Sequence, residues 1–175
     1  MSPPRPSTEP ADAITKSADY PLYVVTASSG DGTGSGGDDR GGCIVGFATQ
    51  SSIEPVRFLI CISKVNSTFA VAERATSLGL HLLGSDQKPM ASLFAETTGD
   101  TTDKFARVSW SRGATGAPIL AECAAWVEGP IIGRFDAGDH EAFLIAVVDG
   151  GSGSHEGRFM LRDASDLEAA HPAQT

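Results

Sequence analysis

Three β-rich, apolar segments follow one another near the start of the chain with no helical segment between them. They are PLYVVTA (21–27), GCIVGFATQSSI (42–53) and RFLICIS (57–63). Parallel strands need a long crossover, usually a helix, whereas antiparallel strands can be joined by short turns. Here the connections are a glycine-rich stretch and a turn at Glu54-Pro55. This order argues against a doubly wound parallel sheet and predicts antiparallel pairing.

The rest of the chain contains both helical and extended signals. Residues 66–79 and 85–96 predict two short helices, because each begins with capping residues and contains good helix formers. Extended segments are predicted at 80–84, 104–110, 119–135, 141–150 and 158–162. The segment at 119–135 is either one long strand or two strands broken at Gly129-Pro130. A total of roughly six to eight short strands predicts a mainly β, antiparallel barrel with short helices at its periphery.

Length and composition predict one domain with loosely held ends. The chain has 175 residues, of which 41% are hydrophobic, and this is enough for a single core. We expect a disordered, Pro-rich N-terminal arm at 1–19, a folded domain at 20–162 and a C-terminal tail at 163–175.

Charge and cysteine usage argue against several classes of partner. A net charge of −9 disfavours nucleic acid and anionic membrane surfaces, because both attract basic proteins. No apolar run is long enough for a membrane helix, and the N-terminus lacks the apolar core of a secretory signal. Cys43, Cys61 and Cys123 are widely spaced in apolar contexts. They predict buried thiols in a cytoplasmic protein rather than disulfides or a metal site.

The segment GTGSGG (32–37) matches G-x-G-x-x-G, the pattern of dinucleotide-binding loops. A phosphate-binding loop of that kind must lead into the N-terminus of a helix. Here Asp38 and Asp39 place negative charge beside the motif, and the β-patterned CIVGFAT follows. A Walker-type loop is excluded because the chain has no G-K-[ST]. We therefore predict that residues 28–42 form a long hairpin connection between the first two strands.

Two polar clusters are candidates for ligand contacts. In SKVNSTF (63–69) the chain leaves a strand and begins a helix, so hydroxyls, amides and Lys64 could bind an anion there. The alternative is a capped helix with an exposed lysine. The segment TQSS (49–52) closes the second strand and could bond a ligand, or could be a solvated strand end. We expect both clusters to lie at one end of the sheet.

A third candidate is GDH (138–140), which precedes a predicted strand. His140 lies near Asp136, Asp139 and Glu141, but one histidine with scattered carboxylates is a weak metal signal. A hydrolase with a Ser–His–Asp triad would call for a G-x-S-x-G elbow, which the chain lacks. A lone histidine is more often structural than catalytic, so both interpretations stay open from the local sequence alone.

The order of these segments resembles the flavin reductase-like family, whose fold is an FMN-binding split barrel. The similar segments span residues 20–150. In chain order they are YPLYVVTA, GCIVGFATQSSIEP, RFLICISKVNSTF, LHLLGSDQKPMASLFAE, DKFARVSW, GAPIL and AGDHEAFLIAVV. The resemblance implies that the antiparallel barrel is a split barrel with a flavin site.

The resemblance also implies which residues form that site. Those lining the flavin would be Phe47, Ala48, Thr49, Gln50, Ser51 and Ser52. Those near its ribityl phosphate would be Ser63, Lys64, Asn66, Ser67 and Thr68. Those closing the site would be Phe94, Lys104 and Phe105. His140 would lie near the reacting face of the ring, where a nicotinamide stacks.

By the same resemblance the chain would be an NAD(P)H-dependent flavin oxidoreductase that binds FMN, or FAD in its place. It would work as a homodimer with the flavin near the interface, and the reduced flavin would pass to a partner monooxygenase or react in place. Two alternatives remain, because a fold does not fix an activity. One is a flavin- or deazaflavin-binding module without nicotinamide-dependent turnover, and the other is a structural barrel without a ligand.

Overall fold

The computed structural model describes residues 9–30, 39–96 and 102–168, which form an antiparallel β structure with short helices. The strands are β1 (Tyr23–Ser28), β2 (Arg40–Val45), β3 (Ala48–Ser52), β4 (Arg57–Ser63), β5 (Ser77–Leu82), β6 (Ser111–Arg112), β7 (Pro118–Ile119), β8 (Ala125–Asp136), β9 (His140–Ala146) and β10 (Asp149–Ser152). The helices are α1 (Glu9–Thr15), α2 (Ser67–Arg74) and α3 (Lys88–Glu96), with 3₁₀ turns at Lys104–Arg107 and Leu161–Ala164.

The main sheet curls until its two edges meet. Its strand order is β2-β1-β5-β8-β9-β4-β3, with β10 added beside β8, and neighbouring strands are antiparallel. The edge strands β2 and β3 are consecutive in the chain and are separated only by Gly46 and Phe47. So short a connection forces the edges together, yet no ladder joins β2 to β3 in the part of the chain described. The predicted mainly β, antiparallel split barrel is therefore confirmed.

Strand β8 connects the two halves of the barrel because it changes its neighbour along its length. Residues 125–130 pair with β5, and residues 131–136 pair with β9. Gly129 lies at this change, where an added Cβ atom would overlap the carbonyl group of Ala146. The close approach of the two backbones therefore requires glycine at this position.

Two apolar clusters form the core. The first fills the barrel and includes the fully buried side chains of Ile60 and Phe143. The second packs α3 and the first 3₁₀ turn against β1 and β2, and includes Phe94. Neighbouring strand residues point to opposite faces, so Val25 of β1 enters the first cluster and Val24 the second. β1 is therefore covered on both faces.

Several predicted elements differ from the structure, and three of them differ most between residues 42 and 110. The helix predicted at 66–79 ends at Arg74, because the following residues form β5 and pair with both β1 and β8. The strand predicted at 42–53 bends at Gly46 into β2 and β3. The strand predicted at 104–110 begins instead with a 3₁₀ turn.

Both ends contain more structure than predicted. The arm that we expected to be disordered includes α1, where Asp12 forms an ion pair at 2.6 Å with Lys16, the residue just after the helix. The strand predicted at 158–162 makes a single β-bridge and then enters a 3₁₀ turn. Leu167 of the predicted tail packs on the second core cluster. The folded part therefore continues past residue 162.

The predicted hairpin between the first two strands is confirmed, but its connection is shorter than the predicted 28–42, because Ser28 belongs to β1 and β2 begins at Arg40. β1 and β2 pair from Tyr23 opposite Val45 to Ser28 opposite Arg40. The motif GTGSGG (32–37) lies outside the described residues. Among the helices that are described, none combines the length and the apolar character needed to cross a membrane.

Candidate functional site

The seam between β2 and β3 opens into two grooves, one on each side of Phe47. The first groove, of about 300 Å³, contains Phe47 and three more of the predicted site residues: Ser63, Asn66 and His140. The second groove, of about 650 Å³, contains Phe47 and another three: Ala48, Thr49 and Gln50. Phe47 belongs to both grooves, so it is the side chain around which these predicted residues gather.

Phe47 forms an aromatic row with its neighbours. Its side chain is 56% exposed, although it is large and apolar. Its ring centroid lies 5.4 Å from that of His140 and 6.1 Å from that of Tyr20. Tyr20 comes this near because Gly46 has no side chain, and a Cβ atom there would overlap the tyrosine ring. An exposed aromatic surface of this kind suits contact with a flat ligand.

The turn between β8 and β9 presents His140 to the first groove. Its Nδ1 atom lies 2.7 Å from Oδ1 of Asp139. A carboxylate can only accept a hydrogen bond, so Nδ1 carries the proton in this contact and Nε2 is left for another partner. This hydrogen bond lowers the pKa of Asp139. Asp139 therefore stays charged at neutral pH and fixes the orientation of the imidazole.

The start of α2 lies beside His140, because Ser63 at the end of β4 pairs with His140 at the start of β9. Asn66 caps the helix by accepting a hydrogen bond from the backbone amide of Thr68 at 2.9 Å. Ser67 is half-buried, whereas the Thr68 side chain is buried. The predicted anion site therefore has a capped first turn and the Ser67 hydroxyl, but Thr68 belongs to the core.

Lys64 already has partners within the chain. Its ammonium group donates to a carboxylate oxygen of Asp136 at 2.6 Å and to the carbonyl oxygen of Gly138 at 2.7 Å. The hydrogen bond from Lys64 is the main cause of a lowered pKa at Asp136. Two of the three ammonium protons are thus directed to the β8–β9 turn rather than to the grooves.

The two polar strand ends do not meet, and our expectation that they would was wrong. In the β3–β4 ladder Ser52 lies opposite Arg57, at the far end of β4 from Ser63. Antiparallel strands run in opposite directions, so the ends of consecutive strands lie apart. Ser51 and Ser52 accordingly line neither groove.

The three residues predicted to close the site are buried behind β2. The rings of Phe94 and Phe105 pack edge to face in the second core cluster, with centroids 5.9 Å apart. Lys104 is only 5% exposed, and its ammonium group donates to the carbonyl oxygens of Gly42 at 3.0 Å and Phe94 at 3.3 Å. These side chains support the wall of the site from the core and line neither groove.

Sequence reasoning missed the apolar wall of the first groove. This wall includes Tyr20, Leu22, Ile44, Leu161, Ala164 and Leu167. Tyr20 and Leu167 come from opposite ends of the domain, so no periodicity or local spacing connects them. Cys61 lines both grooves, and partial burial raises the pKa of its thiol. It therefore stays a protonated thiol at neutral pH.

The seam suits a flat heteroaromatic ligand with an anionic tail. Both volumes fall within the range of small-molecule sites, about 300–1,000 Å³, and the lining is largely apolar with a few polar groups. The resemblance implies FMN. Its isoalloxazine ring would lie against the aromatic row, and its phosphate would lie at the start of α2. Among the described residues, no group of three or more His, Cys, Asp and Glu side chains could hold a metal ion.

Comparison with known proteins gives the same family. The family described as flavin reductase like domain matches residues 16–166. The reductase subunit of stachydrine N-demethylase from Rhizobium meliloti is 33% identical over 123 residues, which is 68% of this chain and 48% of that protein. The FMN reductase (NADH) of Bradyrhizobium diazoefficiens is 28% identical over 116 residues, 66% of this chain and 64% of that protein. The chain thus spans less than two thirds of the length of either relative.

Solved structures agree with this match. The NADH:FAD oxidoreductase of Streptomyces globisporus has a TM-score of 0.72 and 26% identity, covering 89% of this chain and 92% of its own. A flavin reductase domain protein from Arthrobacter has a TM-score of 0.75 over 97% of this chain and 98% of its own, and at 21% identity it shows the fold alone. Because the family match covers most of the sequence and the fold agrees, the chain belongs to the flavin reductase-like family.

Proposed function

We propose that this chain is a flavin reductase that binds FMN and catalyses its reduction by NADH. The observation that carries the proposal is the contact of Phe47 with His140 at the seam, between two grooves of suitable size. Membership of the family supports it. A relative is named an FMN reductase (NADH), and a structural neighbour is named an NADH:FAD oxidoreductase. These names favour NADH over NADPH and keep FAD as an alternative flavin.

The groove residues divide by chemistry into two groups. We assign Phe47, Ala48, Thr49 and Gln50 to the flavin ring, because they combine an aromatic face with hydrogen-bonding groups. We assign Ser63 and Asn66 of the first groove to the phosphate side, together with Ser67, which lines neither groove but begins α2 beside them. A bound flavin supplies the redox chemistry, since it accepts hydride from a nicotinamide.

The chain's own contribution is to hold the donor against the flavin and exclude water. His140, fixed through Nδ1 by Asp139, offers Nε2 as the acceptor of a hydrogen bond from a nicotinamide carboxamide. We assign it no role as a general base, because hydride transfer requires no proton removal at that atom. The apolar wall that includes Leu161 and Leu167 shields the first groove from solvent.

We further propose that the reduced flavin serves a partner oxygenase in the cytoplasm. A relative is named as the reductase subunit of a demethylase, which supports a supply role. The described structure has its three cysteines, Cys43, Cys61 and Cys123, as free thiols, which fits a reducing compartment.

We also propose that the active form is a homodimer. The second half of β8 exposes Ile132 and Phe135 by 46% and 53%, and the turns nearby expose Ile53 and Val148 by 83% and 59%. Large apolar side chains exposed together are typical of surfaces that pack against another chain.

The direct test is an anaerobic titration of the purified protein with FMN and NADH, followed by the visible absorbance of the flavin. Bleaching that requires the protein supports the reductase. Absence of bleaching with NADH, NADPH or other common donors would rule it out. A yellow protein that neither nicotinamide reduces would instead support the flavin- or deazaflavin-binding module. A colourless protein whose Tm ignores added FMN would support the structural barrel.

A further inference from the structure

Lys64 and the β8–β9 turn are joined by three contacts. The backbone amide of Lys64 donates to the carbonyl oxygen of Asp139 at 3.0 Å, one step beyond the last β4–β9 pair. Its ammonium group donates to Asp136 at 2.6 Å and to the carbonyl oxygen of Gly138 at 2.7 Å. Lys64, the first residue after β4, therefore contacts three of the four residues that precede His140.

The turn has a shape that depends on these contacts. The same oxygen of Asp136 that accepts from Lys64 also accepts from the backbone amide of Gly138 at 2.9 Å. Gly138 has a φ of 105°, which strongly favours glycine. The backbone amide of Ala137 closes the turn by donating to the carbonyl oxygen of His140 at 3.0 Å. The turn is thus folded around one carboxylate, and Lys64 neutralises that carboxylate.

We propose that Lys64 and Asp136 are positioning residues that hold the β8–β9 turn so that the His140 imidazole stays against Phe47. The effect on turnover rests on the proposed reductase function, whereas the effect on the imidazole does not. This role differs from a contact between Lys64 and the flavin phosphate, because the ammonium group is directed to the turn. The Asp139 carboxylate orients the ring, and the Lys64–Asp136 pair orients the backbone that carries it.

The test compares Lys64→Met, Asp136→Asn and the double variant. Asparagine keeps an oxygen for the Gly138 amide, so Asp136→Asn acts mainly through the lost charge on the partner of Lys64. The matched control is Lys88→Met with Asp166→Asn, which breaks another lysine–aspartate pair, at 2.7 Å, whose residues line neither groove. The first readout is the NMR spectrum of the His140 ring in the flavin-free protein.

We expect the ring resonances of His140 to shift in both single variants and to stay in place in the control. Each single variant should reduce FMN about threefold to fivefold more slowly, the scale of one partly exposed ion pair. The double variant should be no slower than the singles, because both remove the same contact. The ratio of the Kd values for FMN and riboflavin should stay unchanged.

Three results would overturn the proposal. The first is an unchanged His140 spectrum in both single variants. The second is a double variant whose slowing equals the product of the single effects, because the two residues would then act independently. The third is weaker binding of FMN but not of riboflavin by Lys64→Met, which would make Lys64 a phosphate ligand. The NMR measurement uses the flavin-free protein, so it tests the position of His140 even if no nicotinamide reduces the flavin. Failure of the proposed positioning role and failure of the reductase function are therefore distinguishable.

Discussion

The imidazole of His140 is held by a carboxylate on one side and touches the Phe47 ring on the other. Replacing His140 with alanine should slow FMN reduction by NADH about tenfold or more, because the donor loses a contact that orients it. The Kd for FMN should change by less than about twofold to threefold, since the other ring and phosphate contacts remain. Stopped-flow absorbance gives the rate, and a fluorescence titration gives the Kd.

The control for this prediction is His155→Ala. His155 is also hydrogen-bonded to an aspartate, Asp86, but it lines neither groove. This variant should reduce FMN at the rate of the unmodified protein. If the His140 variant and the unmodified protein reduced FMN at equal rates, His140 would have no role in orienting the donor.

His81 makes the stability of the fold depend on pH. The side chain is fully buried, with Nδ1 3.0 Å from the carbonyl oxygen of Val24 and Nε2 accepting from the amide of Leu120. Burial lowers the pKa of His81 to about 4 from the ordinary 6.5. Between these values the unfolded chain binds more protons than the native one, so stability falls as the pH decreases through that window.

Urea unfolding should show this loss, with a contribution from His81 of up to about 3 kcal/mol between neutral pH and pH 4. The variant His81→Gln should have a flatter profile over the same range, although a lower stability at neutral pH. The carboxylates with lowered pKa values, such as Asp136 and Asp139, lose most of their contributions as the pH falls through and below their ordinary value of 3.8. An equally steep profile in the His81 variant would assign the effect to another group.

At the scale of elements, a buried carboxylate of β8 holds the loop between β6 and β7. Glu128 is fully buried and accepts hydrogen bonds from the amides of Ala114 at 2.7 Å and Thr115 at 3.0 Å. Glu128→Gln should lower the free energy of unfolding by about 2 kcal/mol, because the two amides donate to different carboxylate oxygens and the NH₂ group that replaces one of them cannot accept. Exposed Glu122 provides the control, and Glu122→Gln should change it by less than about 0.5 kcal/mol.

Urea unfolding measures both values, and amide hydrogen exchange gives an independent check. Exchange at Ala114 and Thr115 should become faster in the Glu128 variant only. If Glu128→Gln proved as stable as the Glu122 variant, the loop would be held by its other contacts.

The element that sequence reasoning misjudged most was the segment at 66–79. Gly79 looked like the end of a helix, yet it lies inside β5. A Cβ atom there would lie 2.6 Å from the hydroxyl oxygen of Thr26 and 2.9 Å from the ring of His81, so the glycine allows a close approach between strands. Local propensity cannot distinguish these two uses of glycine. The 3₁₀ turn at Lys104–Arg107, by contrast, could have been predicted from Asp103. An aspartate is a common capping residue, and its side chain accepts a hydrogen bond from the amide of Phe105.

At the scale of the whole molecule, the exposed apolar side chains of β8 predict association. Sedimentation should give about twice the 18.1 kDa of one chain. Phe135→Glu should raise the Kd of the dimer about tenfold or more, because it places a charge on the exposed apolar half of β8. Ile14→Glu is the matched control, since Ile14 is an exposed apolar residue on α1. A monomeric parent protein, or a Phe135 variant that still dimerises normally, would contradict this prediction.

The fold was more predictable than the site. The mainly β, antiparallel fold class followed from three strands without helices between them. The antiparallel pairing of β1 with β2 is the hairpin expected from that order. The grooves are different, because they need Tyr20, Phe47 and Leu167 to meet after the sheet has curled. His140 was a candidate from the local sequence, and the resemblance then assigned its place in the site. Its carboxylate partner is its neighbour in sequence. The residues of the apolar wall share no local pattern.

The β1–β2 hairpin also offers an attachment point far from the seam. At the end of the hairpin the amide of Ser29 donates to the carbonyl oxygen of Asp39, and Asp39 pairs with Arg74 at 2.6 Å. β2 then runs from Arg40 to Val45, so this end lies roughly 17 Å along the strand from the seam at about 3.4 Å per residue. A dye or an immobilising tag attached at Ser29 would start at this end of the hairpin, away from the grooves. The reduction of flavin could then be followed on tethered single molecules.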